Sequence, residues 1–232
     1  MTEKAKTSQR QPNNRLITAL VIAAAVIVAL AFVVLSSQGG GSSSDGSAYV
    51  DIPQARQADG GFVLGSADAP ITIVAFEDFL CSHCQRFKPT VDQFIEKYVA
   101  TGMARFEYRI FPAVHPGYSP LAGKLAECAD TLRPGSFWHA HDALFEIASA
   151  RAFSDQSSRT FADSMDLSYA DLLECTAEAK QADIDTQLGT QLGVTGTPTI
   201  MVRYGSSAPQ PNPFGRQASL EQLSLLVAQA NP

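Results

Sequence analysis

Two cysteines, Cys81 and Cys84, stand between a strand-like run and a helix-like run. Residues 71–76 are apolar and rich in β-branched side chains, which predicts a buried strand. Residues 85–98 follow with a helical pattern that Pro89 is expected to bend. A cysteine at the start of a helix meets unpaired backbone N–H groups, which favour the thiolate over the thiol. The motif therefore predicts a thiol–disulfide exchange centre in which Cys81 is the stabilised thiolate.

Two other interpretations of this motif have to be considered. The first alternative is that Cys81 and Cys84 form half of a zinc site. Such sites need four ligands, usually two close pairs, and Cys128 and Cys175 have no cysteine neighbour nearby. The second alternative is that His83 is an exposed helix residue with no role in the chemistry. Beside Cys81, however, a protonated imidazole would stabilise the thiolate, and we predict this role for it.

The N-terminal part of the chain predicts a membrane anchor. Residues 16–35 are an uncharged apolar run, long enough to cross a bilayer as a helix. Residues 1–15 carry four basic side chains against one acidic side chain, which places the N-terminus in the cytoplasm and the rest outside. A cleaved signal peptide is the alternative, although its apolar region is usually shorter. We predict a single-pass protein of the cell membrane with an extracytoplasmic catalytic domain.

The remaining chain predicts one α/β domain. Residues 36–59 begin with a Gly- and Ser-rich stretch and are predicted to be a flexible linker, followed by a folded domain over residues 60–232. Residues 103–111 alternate as a second strand, so strand, helix and strand form a βαβ unit with parallel pairing. Residues 118–190 have helical patterns throughout and predict an all-helical insertion into the α/β domain.

Composition narrows the class of function. The formal net charge of −6 and the absence of a basic patch argue against a nucleic-acid partner. Phe137, Trp138, Leu144 and Phe145 are expected to belong to the core, and Asp142 to be a solvated helix residue. The three histidines at 115, 139 and 141 have no partner at ligand spacing, so no metal is assigned.

Four segments together resemble the DsbA-like branch of the thioredoxin superfamily, of the membrane-anchored bacterial type. They are residues 65–73 (GSADAPITI), 76–84 (FEDFLCSHC), 137–145 (FWHAHDALF) and 193–199 (GVTGTPT). The resemblance implies a thioredoxin fold with a helical insertion. It also implies that Pro198 follows a cis peptide bond and that the Thr197 backbone pairs with the extended peptide of a substrate.

The chain departs from this family pattern at two positions. The family commonly has proline after the first cysteine, where this chain has Ser82, whose hydroxyl is placed to donate to the Cys81 sulfur. The family also tends to have an acid six residues before that cysteine, where this chain has Ala75. Because Glu77 lies two residues further along the same strand face, we predict that it takes over as proton acceptor for Cys84.

Cys128 and Cys175 fall on two predicted helices of the insertion. They are either two buried free thiols or, in an oxidising compartment, a structural disulfide. Relatives with a second cysteine pair in this region favour the disulfide, which would stabilise the fold by about 3–4 kcal/mol.

The resulting prediction is a dithiol oxidase that forms disulfides in exported proteins and needs no bound cofactor. The resemblance implies a membrane quinone-linked partner, of the DsbB or vitamin K epoxide reductase type, that reoxidises it. An extracytoplasmic disulfide reductase or isomerase is the alternative within the same class. A thioredoxin-like copper-binding chaperone, with Cys81, Cys84 and a histidine as ligands, is the alternative from another class.

Overall fold

The computed structural model describes Tyr49, residues 51–150 and residues 153–232. The strands found there are β1 (Gln54–Arg56), β2 (Phe62–Leu64), β3 (Ile71–Glu77), β4 (Arg105–Ile110), β5 (Thr199–Tyr204) and β6 (Gln210–Pro211). They form one sheet in the order β1-β2-β4-β3-β5-β6. β3 pairs in parallel with β4 and antiparallel with β5. The predicted parallel pair is confirmed, and the strand that leads to the cysteines lies in the middle of the sheet.

Both faces of β3 are covered, which explains its continuous apolar sequence. Ile73 and Ala75 belong to the larger core cluster, whereas Val74 and Phe76 belong to a smaller one on the opposite face. A strand buried on both faces has no need of alternating polar residues. The last residue of β3, Glu77, nevertheless carries an ionisable carboxyl group and is buried.

The helices in the described part of the chain are α1 (Ser82–Phe94), α2 (Tyr118–Leu132), α3 (Phe137–Ser149), α4 (Ser157–Ser164), α5 (Tyr169–Glu178), α6 (Gln181–Gln191) and α7 (Leu220–Ala230). Helices α2 to α6 follow one another between β4 and β5, which confirms the predicted helical insertion into a thioredoxin-type sheet. Pro89 lies inside α1, which continues past it and ends in a π-helical turn over Ile95–Val99. Ser219 caps α7 through a reciprocal pair of hydrogen bonds with Gln222.

A disulfide joins two helices of the insertion. Cys128 of α2 and Cys175 of α5 are bonded, with their Cα atoms 5.8 Å apart. The second cysteine pair is therefore a disulfide in this structure and not two free thiols. Since the bond closes a segment of 47 residues, we attribute to it about 3–4 kcal/mol of stability.

A buried charge network ties the insertion to the back of the sheet. Arg109 of β4 forms ion pairs with Glu107, with Asp185 of α6 and with Asp59. Arg203 of β5 forms another with the fully buried Glu107. Each buried charge is thus paired, as a low-dielectric interior requires.

The folded domain begins before residue 60, so the predicted linker over 36–59 is too long at its C-terminal end. β1 pairs with β2, and Tyr49 packs against Trp138 at 6.0 Å between ring centroids. The three side chains of β1 are exposed, so its sequence carries no apolar signal for a strand. The predicted segments 1–15 and 16–35 lie outside the described residues. Within the described ranges, no helix combines the length and apolarity that a membrane span needs.

Candidate active site

The two motif cysteines meet at the first turn of α1. Cys81 has an extended backbone and is the N-cap of the helix, and Cys84 lies on the inward face of its first turn. Both sulfurs are reduced in the structure, and Cys84 is completely buried, whereas Cys81 keeps 5% of its surface exposed. A residue at the N-cap faces the N–H groups of the second and third helical residues. The spacing of the motif therefore points the Cys81 sulfur at the backbone of His83 and Cys84.

The two thiols have opposite acidities. The hydrogen bond donated by the Cys84 thiol lowers the pKa of Cys81 most, burial opposes it, and donors from Thr197 and the backbone of His83 and Cys84 bring it to about 5. For Cys84, burial raises the pKa far above its usual value, and the neighbouring Cys81 and Glu77 raise it further. At neutral pH the pair is therefore a thiolate beside a thiol, which is the arrangement of a nucleophile and a leaving group.

The loop before β5 lies across this pair. The peptide bond between Thr197 and Pro198 is cis, as the family resemblance implies. The Thr197 carbonyl accepts a hydrogen bond from the Cys81 thiol at 3.3 Å. The Thr197 hydroxyl is buried without a hydrogen-bond partner in the described region, so it is free to donate when Cys81 is ionised. Thr199 steadies the loop, since its hydroxyl donates to the Gly196 carbonyl at 2.6 Å.

Glu77 lies beneath Cys84. Burial raises its pKa to about 8, although the hydrogen bond from the Cys84 thiol and the charge of Lys88 act in the opposite direction. At neutral pH the carboxyl group is therefore largely protonated and carries a proton that Cys84 can take. The structure thus brings together Cys81, Cys84, Thr197, Pro198 and Glu77.

Comparison with known proteins agrees with this geometry. The model of a family described as thioredoxin matches residues 57–208, well over half of the chain. The chain belongs to the thioredoxin family.

Two sequence relatives and one solved structure are similar to this thioredoxin-family protein. The Na(+)/H(+) antiporter NhaA 3 of Salinispora tropica is 33% identical over 97 residues, which are 41% of this chain and 14% of the antiporter. Disulfide bond formation protein D of Bacillus subtilis is 27% identical over 148 residues, which are 60% of this chain and 66% of that protein. The crystal structure of α-DsbA1 from Wolbachia pipientis has a TM-score of 0.64 at 20% identity, covering 75% of this chain and 92% of that one.

The chain spans less than two thirds of the length of either sequence relative. The structural neighbour confirms a thioredoxin fold with a helical insertion. The family model and the structural neighbour confirm the thioredoxin part of the predicted resemblance. The names of disulfide bond formation protein D and of α-DsbA1 agree with the predicted DsbA-like branch and with the predicted enzyme class, protein thiol–disulfide oxidoreductase.

Ser82 and His83 contribute less through their side chains than the sequence predicts. Both are exposed, and within the described chain the Ser82 hydroxyl makes no hydrogen bond to the Cys81 sulfur. The His83 Nδ1 lies 3.0 Å from the guanidinium of Arg86, which can only donate. The ring is thus engaged with Arg86, and the predicted stabilisation of Cys81 by a protonated imidazole stays a prediction. The backbone N–H of His83 lowers the pKa of Cys81.

Asp78 holds the loop in front of Cys81, a role that the sequence analysis did not find. One carboxylate oxygen accepts from the Leu80 backbone at 2.9 Å. The other accepts from the backbones of Ala113 and Val114, at 2.8 and 2.9 Å. This buried carboxylate connects the β3–α1 loop to the β4–α2 loop. The available signal was an Asp two residues before a turn backbone N–H, a common local hydrogen-bonding pattern.

Asp142 is half-buried in a polar cluster and is not the solvated residue that the sequence predicts. It accepts hydrogen bonds from Tyr49 at 2.9 Å, Lys88 at 2.9 Å and His141 Nδ1 at 2.9 Å. Burial opposes its ionisation, but the hydrogen bonds from His141 and Lys88 lower its pKa. Tyr49 and Lys88 come from before β1 and from α1, so helical periodicity within α3 does not predict these two partners.

The expected core aromatics of α3 are buried as predicted. In the part of the chain that the structure describes, no group of three or more histidine, cysteine or acidic side chains is arranged to hold a metal ion.

Proposed function

We propose that this protein is a dithiol oxidase that forms disulfides in other proteins through Cys81 and Cys84. The opposite acidities of the two thiols carry the proposal. The environment stabilises Cys81 as a thiolate, with a pKa of about 5, and the thiolate exists only when the pair is reduced. Stabilising the reduced form makes the disulfide form a stronger oxidant.

The geometry supports a two-step exchange. A substrate thiolate attacks the Cys81 sulfur of the oxidised pair, a new disulfide forms to the substrate, and Cys84 leaves with the electron pair of the broken bond. The proton of Glu77 passes to Cys84. A second substrate thiolate then attacks the substrate sulfur of the mixed disulfide, and Cys81 leaves as the stabilised thiolate. Two substrate thiols become one disulfide, and the cysteine pair has gained two electrons.

Cys81 is the reacting sulfur because it alone combines acidity with access. It keeps a small exposed surface, while Cys84 has none. The Thr197 backbone beside it is placed to pair with an extended substrate peptide, as the family resemblance implies.

The proposal includes a location outside the cytoplasm, a membrane anchor over residues 16–35, and reoxidation by a quinone-linked partner of the DsbB or vitamin K epoxide reductase type. The charge pattern before that segment supports the orientation. The disulfide between Cys128 and Cys175 supports an oxidising compartment. Exported proteins with cysteine thiols are the corresponding substrates.

The deciding experiment is the equilibrium reduction potential of the full-length protein against glutathione buffers. We expect a value nearer about −120 mV, the potential of a strong dithiol oxidase, than about −270 mV, the potential of thioredoxin. A value near the thioredoxin end would overturn the oxidase proposal and favour a reductase, with Ser82 as the first residue to exchange for proline.

Glu77→Gln tests the proton step. The amide has no proton to pass to Cys84, so the rate of mixed-disulfide formation should fall and lose its pH dependence around pH 8. Asp68→Asn, on an exposed loop, serves as the control. An unchanged pH profile in Glu77→Gln would show that another group supplies the proton.

A further inference from the structure

Tyr108 has a buried hydroxyl that the exchange reaction described above does not use. Its side chain is completely buried on β4, and its oxygen has no hydrogen-bond partner within the described residues. Buried hydroxyls are nearly always paired in proteins, so an unpaired one calls for a physical reason.

The sheet register places Tyr108 beside the active site. In the parallel pairing of β3 and β4, Tyr108 lies opposite Ala75, and Glu77 follows two residues later on the same face. The Tyr108 ring stacks on Phe79 at 5.3 Å and meets the edge of His141 at 4.9 Å. Ala75 is the position where the family pattern has its acid. In this chain that position is small, and a tyrosine from the neighbouring strand lies next to it.

The charged and titratable groups around Glu77 and Tyr108 come from four elements and one loop. They are Cys81, Cys84, Lys88 and Asp92 from the active-site helix, Tyr108 itself from β4, His141 and Asp142 from α3, Asp185 from α6, and Asp78 from the adjacent loop. Lys88 is already engaged by Asp92 and Asp142. Burial keeps the imidazole of His141 neutral, since it lowers its pKa. Of these groups, Tyr108 has the one donor in the described region without an acceptor.

The Tyr108 hydroxyl keeps a proton that it can donate in a hydrogen bond. Burial raises its pKa well above the usual value, and the neighbouring Glu77 and Cys84 raise it further. The hydroxyl therefore stays protonated throughout the reaction. It cannot act as a base, but it can stabilise a neighbouring anion.

We infer that Tyr108 is a positioning residue of the exchange reaction, whose hydroxyl donates a hydrogen bond to the Glu77 carboxylate once that group has passed its proton to Cys84. The inference rests on the proposed exchange chemistry and adds to it. When Cys84 leaves and takes the proton, Glu77 becomes a buried anion with Lys88 already shared by two aspartates. The unpaired hydroxyl of Tyr108, on the adjacent strand, stabilises this anion by donating to it.

Tyr108→Phe tests the inference, because it removes the oxygen and keeps the ring contacts. The protonation of Glu77 is followed in reduced full-length protein carrying ¹³C-labelled glutamate carboxyl groups, with the Glu77 signal assigned from Glu77→Gln. Without the donor, the Glu77 midpoint should rise by about one pH unit, and the pH profile of mixed-disulfide formation should move with it. Tyr98→Phe, which removes a tyrosine oxygen that bonds to Ser224 away from the cysteine pair, should leave both unchanged.

Coincident titrations of wild type and Tyr108→Phe would overturn the inference. If Tyr108→Phe does not fold, 3-fluorotyrosine placed at position 108 replaces it; this better donor should lower the Glu77 midpoint, and no shift would count against the inference. The midpoint is measured at equilibrium and does not depend on the direction of electron flow. A shifted midpoint in a protein with a thioredoxin-like potential would therefore retain the role of Tyr108 and reject the oxidase proposal.

Discussion

Replacing Thr197 by valine removes one hydroxyl beside the Cys81 sulfur at nearly constant shape. The oxygen is buried and unpaired within the described residues when Cys81 is a thiol, so its loss should leave the reduced protein no less stable below pH 5, where Cys81 is protonated. Its donation to the thiolate is one of the causes of the low pKa of Cys81. The substitution therefore separates thiolate stabilisation from the stability of the fold.

The size of the effect follows from the Cys81 pKa of about 5. At pH 7, ionisation of such a thiol favours the reduced pair by about 2.7 kcal/mol over an unperturbed thiol. For a two-electron couple this makes the disulfide more oxidising by about 60 mV. One hydrogen bond to a charged group contributes about 1.5 kcal/mol, or roughly one pKa unit. In Thr197→Val we expect Cys81 to titrate near pH 6 and the potential to become about 30 mV less oxidising.

Two measurements check this expectation. The ultraviolet absorbance of the thiolate gives the Cys81 midpoint, and glutathione buffers give the potential. Thr199→Val is the matched control, because the hydroxyl of Thr199 donates to the loop carbonyl of Gly196 and does not act on the sulfur. An unchanged midpoint in Thr197→Val, or an equal shift in Thr199→Val, would refute the reasoning.

Three further predictions follow from the structure. As the pH rises, the reduction potential of the cysteine pair should fall by about 59 mV per pH unit below pH 5 and by about 30 mV per unit above it, because reduction takes up two protons below the Cys81 pKa and one above it. A single slope from pH 4 to 7 would contradict that pKa. Replacing both Cys128 and Cys175 by serine should lower the free energy of unfolding by about 3–4 kcal/mol in denaturant titrations and leave exchange activity in place, whereas a loss of activity as large as in Cys81→Ser would show that the disulfide is part of the chemistry. Asp78→Asn replaces the carboxylate that accepts from two backbone N–H groups by an amide, and it should lower the free energy of unfolding by about 2–3 kcal/mol. The exposed Asp68→Asn should leave the free energy of unfolding unchanged, and equal unfolding midpoints for the two variants would contradict the role given to Asp78.

The sequence predicts the elements of this fold that depend on local patterns. The apolar run of β3, the helix after Cys81 and the helical insertion all follow from periodicity, and the family resemblance adds the cis bond before Pro198. Glu77 could be predicted as well, because strand alternation places it on the same face as Ala75. These features depend on residues close to one another in the chain.

The features that could not be predicted depend on contacts between distant residues. Asp142 is drawn into the interior by Tyr49 and Lys88, which lie 93 and 54 positions away. β1 is missed because a short strand with exposed side chains has no compositional signature. In each case the deciding partner comes from another element of the fold.

Cys81 precedes the loop that completes its surroundings by 116 residues. As the chain is synthesised from its N-terminus, β3 gains its neighbour β5 only after the whole helical segment has been made. Until then Glu77 is not enclosed and Thr197 is absent, so the two active-site thiols of the nascent chain have ordinary acidity. Before β5 is made, the nascent chain therefore contains four reduced cysteines that can form incorrect disulfides. It acquires its own reactivity only when the last fifth of the polypeptide docks onto the sheet.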